Sequence, residues 1–291
     1  MPDIAFHADP AIKVDAQARL RGHIDAKRFI FYPAWEDGAA NVIGAIIQSG
    51  DQQAYADHLG YPIALVTALD SIVNAYSTTP LAAEYAQSWL DRTPVGADLS
   101  DIVSQAIIFL LERPELVAHA RGHAGIETAR QAILALHRRA LQGDAPERKA
   151  WKVVRLAAVT ASDQAKDPLV RCAGTVVEAA AWPGTMRTVL HDVLGASGRL
   201  ELKQLMQEIG WTDEEESQVF HIREQAEIDG RMAELSGLDR VLGLLDADNP
   251  QLAGRFRQRL DQFEKLGHVY RSAGAEILDL FSRAPVPVAS R

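Results

Sequence analysis

Two histidines at helical spacing are the nearest approach in this sequence to a metal-binding motif. His119 and His123, in the segment HARGH, lie four residues apart, which places two imidazoles on one face of a helix. Gly122 indicates, however, that the helix beginning at Pro114 ends before the second histidine. Ala120 stands where a hydrolytic zinc motif has its catalytic glutamate. We therefore expect a surface or capping role for both histidines, and no metal.

Other motifs for catalysis or cofactor binding are missing. A segment resembling a calcium loop begins at Asp246, but Arg257 occupies the position of the bidentate glutamate. There is no glycine-rich phosphate loop, dinucleotide fingerprint or nucleophile elbow. The single cysteine, Cys172, excludes an internal disulfide and lies in an apolar helical stretch, where a thiol is more often part of the core than a nucleophile. We expect no cofactor.

The charge of the chain disfavours nucleic acid as a partner. Thirty basic and 39 acidic side chains give a formal net charge of -9, which repels a polyanion. Residues 199 to 230 have the outline of a helix-turn-helix, but between Asp213 and Asp229 there are seven acids and one arginine. The sequence has no secretion signal and no apolar run of the roughly 18 residues that a membrane span needs. A cytoplasmic protein is the simplest expectation.

One basic segment is an exception to this acidic balance. It consists of Arg138, Arg139, Arg148, Lys149, Lys152 and Arg155. A solvated helix face is the usual explanation, and an acidic protein surface or an anion is the alternative. Trp151 is its single aromatic residue, too few for a groove that binds single-stranded nucleic acid.

Repeated helix-start signals predict an all-α, multi-helical bundle. A short polar residue precedes proline at Asp9, Thr79, Asp167 and Asn249, and capping boxes are predicted at Asp144 with Glu147 and at Thr212 with Glu215. Apolar residues recur at helical spacing between these starts, and convincing strand alternation is missing. The sequence therefore predicts no sheet.

A glycine-rich stretch predicts two helical domains. The segment GASG at 195–198 interrupts the helical pattern, so we predict an N-terminal domain at 1–197 and a smaller C-terminal domain at 198–291. Two amphipathic helices around Gly267 predict a helical hairpin in the second domain. Its apolar residues Phe256, Leu260 and Phe263 either complete the core or bind a partner.

The stretch WEDGAANVIGAIIQSGD, at 35–51, has two interpretations. Asp37 can cap a helix over 38–49, and the small residues that follow permit close packing. Alternatively, Trp35 and its neighbours form part of an active-site floor. Capping and packing explain nearly every residue, so a buried helix is the favoured interpretation.

Several segments resemble, in their order along the chain, a group of bacterial proteins of unknown function. They are HADPAIK at 7–13, His23, residues 35–44, HLGYP at 58–62 and PVGADL at 94–99, so the resemblance covers roughly residues 7–112. The cysteines that the group has in its glycine-rich segment fall near Asn41 and Ala45 here. The resemblance therefore implies a fold and no activity.

Together these observations favour a cytoplasmic, non-enzymatic protein that acts through a protein partner or through self-association. The alternative is an enzyme or a protein that binds a small ligand in an N-terminal pocket. The candidate residues for that pocket are His7, His23, Trp35, Asp37 and His58.

Overall fold

A computed structural model describes residues 3–229, 237–262 and 265–287, and the protein is all-α as predicted. The helices are α1 (Pro10–Asp25), α2 (Gly44–Ile47), α3 (Gln52–Leu59), α4 (Ile63–Val73), α5 (Thr79–Arg92), α6 (Ile102–Glu112), α7 (Pro114–Ala120), α8 (Ala124–Leu141), α9 (Arg148–Gln164), α10 (Pro168–Ala179), α11 (Val189–Glu208), α12 (Asp213–Ile228), α13 (Gly237–Asp248), α14 (Pro250–Leu260) and α15 (His268–Arg283). A 3-10 helix, Ala5–Ala8, precedes α1. Two short strands, β1 (Trp35–Glu36) and β2 (Ala39–Ala40), pair antiparallel.

Contacts divide the chain into two compact units. The large unit comprises Met1–Leu200 and Gly267–Arg291, and the small unit comprises Glu201–Leu266. This division differs from the predicted domains at 1–197 and 198–291. Helix α15 packs against α4, α5 and α6 in the large unit, whereas α14 belongs to the small unit. The predicted hairpin helices thus belong to different units.

The GASG segment also has a different role from the predicted boundary, because it lies within helix α11. A Cβ atom at Gly198 would lie 2.7 Å from the ring of Tyr270. Glycine is therefore required at position 198 so that the Tyr270 side chain can approach the helix closely. This glycine does not end the helix.

An aromatic cluster forms the centre of the large unit. Trp89 is fully buried, and its ring stacks on Tyr61 with centroids 5.8 Å apart. Phe281, from α15, packs edge-on against Trp89 at 4.7 Å. The Tyr61 hydroxyl donates a hydrogen bond to Thr93 Oγ1 at 2.8 Å, which satisfies its polar end. Helix α15 thus completes an aromatic cluster whose other members described here, Tyr61 and Trp89, come from the N-terminal half of the chain.

A separate core stabilises the small unit. Phe256 is only 6% exposed, and its ring centroid lies 6.0 Å from that of Trp211. The capping box predicted at the start of α12 is present, with Thr212 and Glu215 bonding to each other's backbone N–H groups. Arg255 links this box to α14 by donating to Glu215 Oε1 at 2.8 Å.

The remaining predicted helix starts are only partly confirmed. The side chains of Asp9, Asp167 and Asn249 cap α1, α10 and α14. The predicted capping box at Asp144 is wrong, because this carboxylate instead accepts a hydrogen bond from Arg139 at 2.8 Å. Thr79 lies inside α5, whose cap residue, Thr78, makes no side-chain capping bond.

The predicted helix over 38–49 is wrong in its first half. Asp37 and Gly38 have φ angles of +48° and +78° and form the two-residue turn between β1 and β2. An Asp-Gly pair adopts such turns readily, and this preference overrides the capping role expected for Asp37. Helix α2 begins later, where Asn41 Oδ1 accepts hydrogen bonds from the N–H groups of Ile43 and Gly44 at 2.9 and 3.0 Å.

Candidate functional site

The five N-terminal candidate residues do not form one pocket. His7 precedes α1 and His23 lies in its last turn, and the 16 residues of this helix span about 24 Å. Asp37 is exposed in the hairpin turn, and His58 is exposed near the end of α3. Trp35 lies beside His23. The candidates therefore separate into a group at each end of α1.

His23 and Trp35 pack the hairpin against the end of α1. Their ring centroids lie 5.7 Å apart with the planes at 81°. Burial, and secondarily the charge of Arg28, lowers the pKa of His23, which favours the neutral imidazole. Its Nδ1 atom is shielded from solvent and has no hydrogen-bond partner among the described residues. This ring contact gives Trp35 a role in packing.

An open cavity of about 680 Å³ lies beside His7. Asp3 and Asp57 contribute polar groups to its wall, and Ile4 and Tyr61 contribute apolar ones. His7 Nε2 lies 2.7 Å from the backbone oxygen of Asp57. Because a carbonyl can only accept, Nε2 carries a proton and donates it in this contact.

The backbone around His7 is strained. Phe6, His7 and Ala8 have φ angles of 54°, 50° and 59°, in the left-handed region, where each residue other than glycine costs about 1–2 kcal/mol. Two backbone hydrogen bonds hold the preceding residue, from Ala5 N to Ala97 O at 2.8 Å and from Gly96 N to Ala5 O at 2.9 Å. Such strain persists only where the surrounding structure enforces it, and it is commonest at functional sites.

The two carboxylates beside this cavity differ in their surroundings. Burial, and secondarily the charge of Asp98, raises the pKa of Asp3. Asp57 instead accepts a hydrogen bond from Gln53 at 2.9 Å. The cavity therefore combines one carboxylate that resists ionisation with a second that is exposed and hydrogen-bonded.

A second polar site surrounds a partly buried carboxyl that the sequence interpretation missed. Burial raises the pKa of Asp70 to about 6, against opposing effects of a hydrogen bond from Gln52 and the charge of His191. Asn41 Nδ2 donates to Asp70 Oδ1 at 3.0 Å, and Ser71 Oγ lies 3.0 Å from His191 Nδ1. A carboxyl that titrates near neutrality can exchange protons. The available signal was an acid within the apolar run IALVTALDSIV.

The outer face of α9 combines exposed apolar residues with unpaired cations. Val153 and Leu156 are 58% and 56% exposed. Arg148, Lys149 and Lys152 are also exposed, and they form no ion pair with any residue that the structure describes. We call these five residues the α9 surface.

The rest of the predicted basic segment has partners within the chain. Arg138 forms an ion pair with Glu112, and Arg139 forms one with Asp144. Arg155 lies over the Trp182 ring, 4.6 Å from its centroid, and approaches Glu178 at 3.4 Å. The free cations are therefore concentrated at the N-terminal half of α9.

The partner-contact residues expected near the C-terminus are not a free surface. Phe256 is buried against Trp211, and Leu260 is partly buried against the same core. They stabilise the small unit, as the alternative interpretation of these helices expects. Phe263 lies outside the residues that the structure describes.

Comparisons with known proteins found no relative. No protein-family model, no curated protein and no solved structure matches this chain. Within the described ranges, no helix is both long and apolar enough to cross a membrane. Across the same residues, no three or more His, Cys, Asp or Glu side chains come together as a metal site would require.

Proposed function

We propose that this protein acts by binding another protein through the α9 surface. The observation that carries the proposal is the exposure of Val153 and Leu156 beside three cations that have no ion pair among the described residues. Single exposed apolar residues are ordinary, but two of them three residues apart lie on one helix face. The adjacent cations give this apolar patch a defined electrostatic preference.

The partner fits this surface if it is acidic and carries a large apolar side chain. Contact with such a side chain removes the exposed parts of Val153 and Leu156 from water. Carboxylates beside it neutralise Arg148, Lys149 and Lys152, and salt weakens that attraction. An amphipathic acidic helix presents both features on one face.

A site-specific photo-crosslinker tests this function in the cells that make the protein. Ala157 is exposed on α9 next to the apolar pair, so a benzophenone amino acid at this position reports what covers the surface. The matched control is the same group at Val14, which is 63% exposed on α1. We expect a protein adduct from position 157 and none from position 14. Equal labelling at both positions, or none at 157, would contradict the proposal.

A second candidate function is the binding of a small organic cation beside His7. The specific observation that favours it is the 680 Å³ cavity, whose wall includes Asp3 and Asp57 together with His7, whose backbone is strained. A panel of aliphatic diamines and guanidines, screened by thermal shift, tests it. Stabilisation that disappears in Asp57→Asn and persists in His58→Ala supports it, and the absence of any shift across the panel excludes this ligand class.

A further inference from the structure

Helix α12 presents a second exposed face, with the opposite charge. Phe220 and Ile228 are 64% and 73% exposed, and Glu224 and Glu227 are exposed with them. Spacings of four and of seven to eight residues place these four side chains on one side of the helix. We call them the α12 face.

The acids of α12 divide into paired and free groups. Three near its N-terminus form ion pairs, namely Asp213 with Lys203, Glu215 with Arg255 and Glu216 with Arg259. Glu224 and Glu227 form none with any described residue. The α12 face thus has free carboxylates beside exposed apolar residues, and the α9 surface has free cations beside exposed apolar residues.

The spacings on the two helices match in an antiparallel arrangement. With Phe220 placed against Leu156, Glu224 lies four residues along α12 and meets Lys152, four residues back along α9. Glu227 then meets Lys149, since both helices rise 1.5 Å per residue. A parallel arrangement would place Glu224 and Glu227 against Thr160 and Asp163, where one contact is neutral and the other repulsive.

We infer that the α12 face of one copy binds the α9 surface of a second copy. This inference rests on the proposed function of the α9 surface and names its partner. Every chain carries both surfaces, so any two copies can form this contact.

Reciprocal charge reversal tests the pairing. The variants are Lys149→Glu with Lys152→Glu, Glu224→Lys with Glu227→Lys, and the combination of all four, studied by sedimentation equilibrium at low salt. We expect the wild type to dimerise and each double variant to weaken dimerisation at least about tenfold, because both ion pairs of the contact become repulsive. The combined variant restores dimerisation to within about threefold of wild type, since attraction returns with reversed signs.

The control variant reverses two exposed cations elsewhere, Arg21→Glu with Lys166→Glu, and leaves dimerisation unchanged. All substituted side chains are exposed, and circular dichroism checks that each variant is folded. A wild-type protein that stays monomeric at about 100 µM, or a combined variant no stronger than the double variants, overturns the inference.

The photo-crosslinker at position 157 separates failure of this inference from failure of the proposed function. An adduct between two copies, joined to a peptide from 213–229, supports the dimer. An adduct with a different protein alone overturns the dimer and leaves the proposed function standing. A crosslink within one chain, or none at all, overturns both.

Discussion

At position 44, the atoms of neighbouring residues restrict which side chain can fit. A Cβ atom there would lie 1.8 Å from the carbonyl oxygen of Ala34 and 3.3 Å from Ala40 Cβ, whereas Gly22 in α1 has no such atom within 4 Å. At Gly44, the first residue of α2, the backbone passes close to the residue that precedes β1. This close approach explains the glycine-rich composition of the segment better than a ligand does.

Gly44→Ala should therefore destabilise the protein, and Gly22→Ala should not. We expect a loss of about 1–3 kcal/mol of unfolding free energy from Gly44→Ala because the backbone has to shift. In Gly22→Ala we expect a gain of up to about 1 kcal/mol, since alanine is the better helix former. Urea denaturation of both variants measures the difference. Equal effects of the two substitutions would show that the close approach is not rigid.

The partly buried carboxyl of Asp70 makes stability depend on pH in a defined direction. Its pKa is raised from 3.8 to about 6, so the folded state binds its proton more tightly than the unfolded state does. The contribution of this proton to stability is complete below about pH 4 and is lost as the pH rises through 6. Near pH 8 the charged, partly buried carboxylate costs about 3 kcal/mol relative to the protonated form.

Asp70→Asn should therefore be more stable than the wild type at pH 8, by up to about 3 kcal/mol, and the advantage should shrink to near zero at pH 4. The substitution removes a buried charge and keeps a side chain of similar shape. Chemical denaturation at a series of pH values gives the difference. An advantage that is constant with pH would mean that the titration of Asp70 does not cause it.

At the scale of the element, local side-chain chemistry determines where helices start. Thr212 caps α12 with both bonds of its capping box, whereas Thr78 precedes α5 without a side-chain bond. Similar residues in similar positions therefore contribute differently to the two helices. The difference lies in Glu215, which returns the hydrogen bond to the cap residue of α12.

We expect Thr212→Ala to lower the stability of the small unit by about 1 kcal/mol, and Thr78→Ala to have a smaller effect on the large unit. Hydrogen exchange read by mass spectrometry separates the two units by their peptides. The expectation fails if α12 exchanges at the wild-type rate in Thr212→Ala.

Helices with local signals were predictable from the sequence, and contacts between distant segments were not. Helix α10 begins directly after Asp167, as the Asp-Pro pair predicts. The hairpin was missed because Asp37 suits both a helix cap and a turn, and only the packing around it decides between them. Asp70 was missed because its neighbours come from the hairpin, α3 and α11.

At the scale of the whole molecule, two separate cores stabilise the two units. Phe281 belongs to the aromatic core of the large unit, and Phe256 belongs to the core of the small unit. Both residues lie on amphipathic helices, and the sequence predicts a hairpin between them. The spacing of apolar residues shows that a helix buries one face, but it does not show which other element that face packs against. The units themselves were therefore not predictable.

Phe256→Ala should unfold the small unit selectively. Removing this buried ring costs about 3–5 kcal/mol, and we expect that loss in the unit that contains it. Trp211 lies in the same core, so its fluorescence should change, while peptides from 63–180 keep their hydrogen-exchange protection. Phe281→Ala is the matched variant for the large unit and should reverse this pattern. Exchange that increases throughout both units would show that they unfold together.

The strained turn at His7 has a consequence for the order in which a nascent chain can fold. Ala5 and Ile4 pair with Ala97 and Asp98, and Asp98 N in turn donates to Pro285 O at 2.8 Å. The ribosome releases the turn before the residues that hold it, which follow some ninety positions later, and Pro285 follows much later still. Left-handed residues without these contacts revert to ordinary conformations. The earliest translated part of this sequence is therefore among the last to acquire its final geometry.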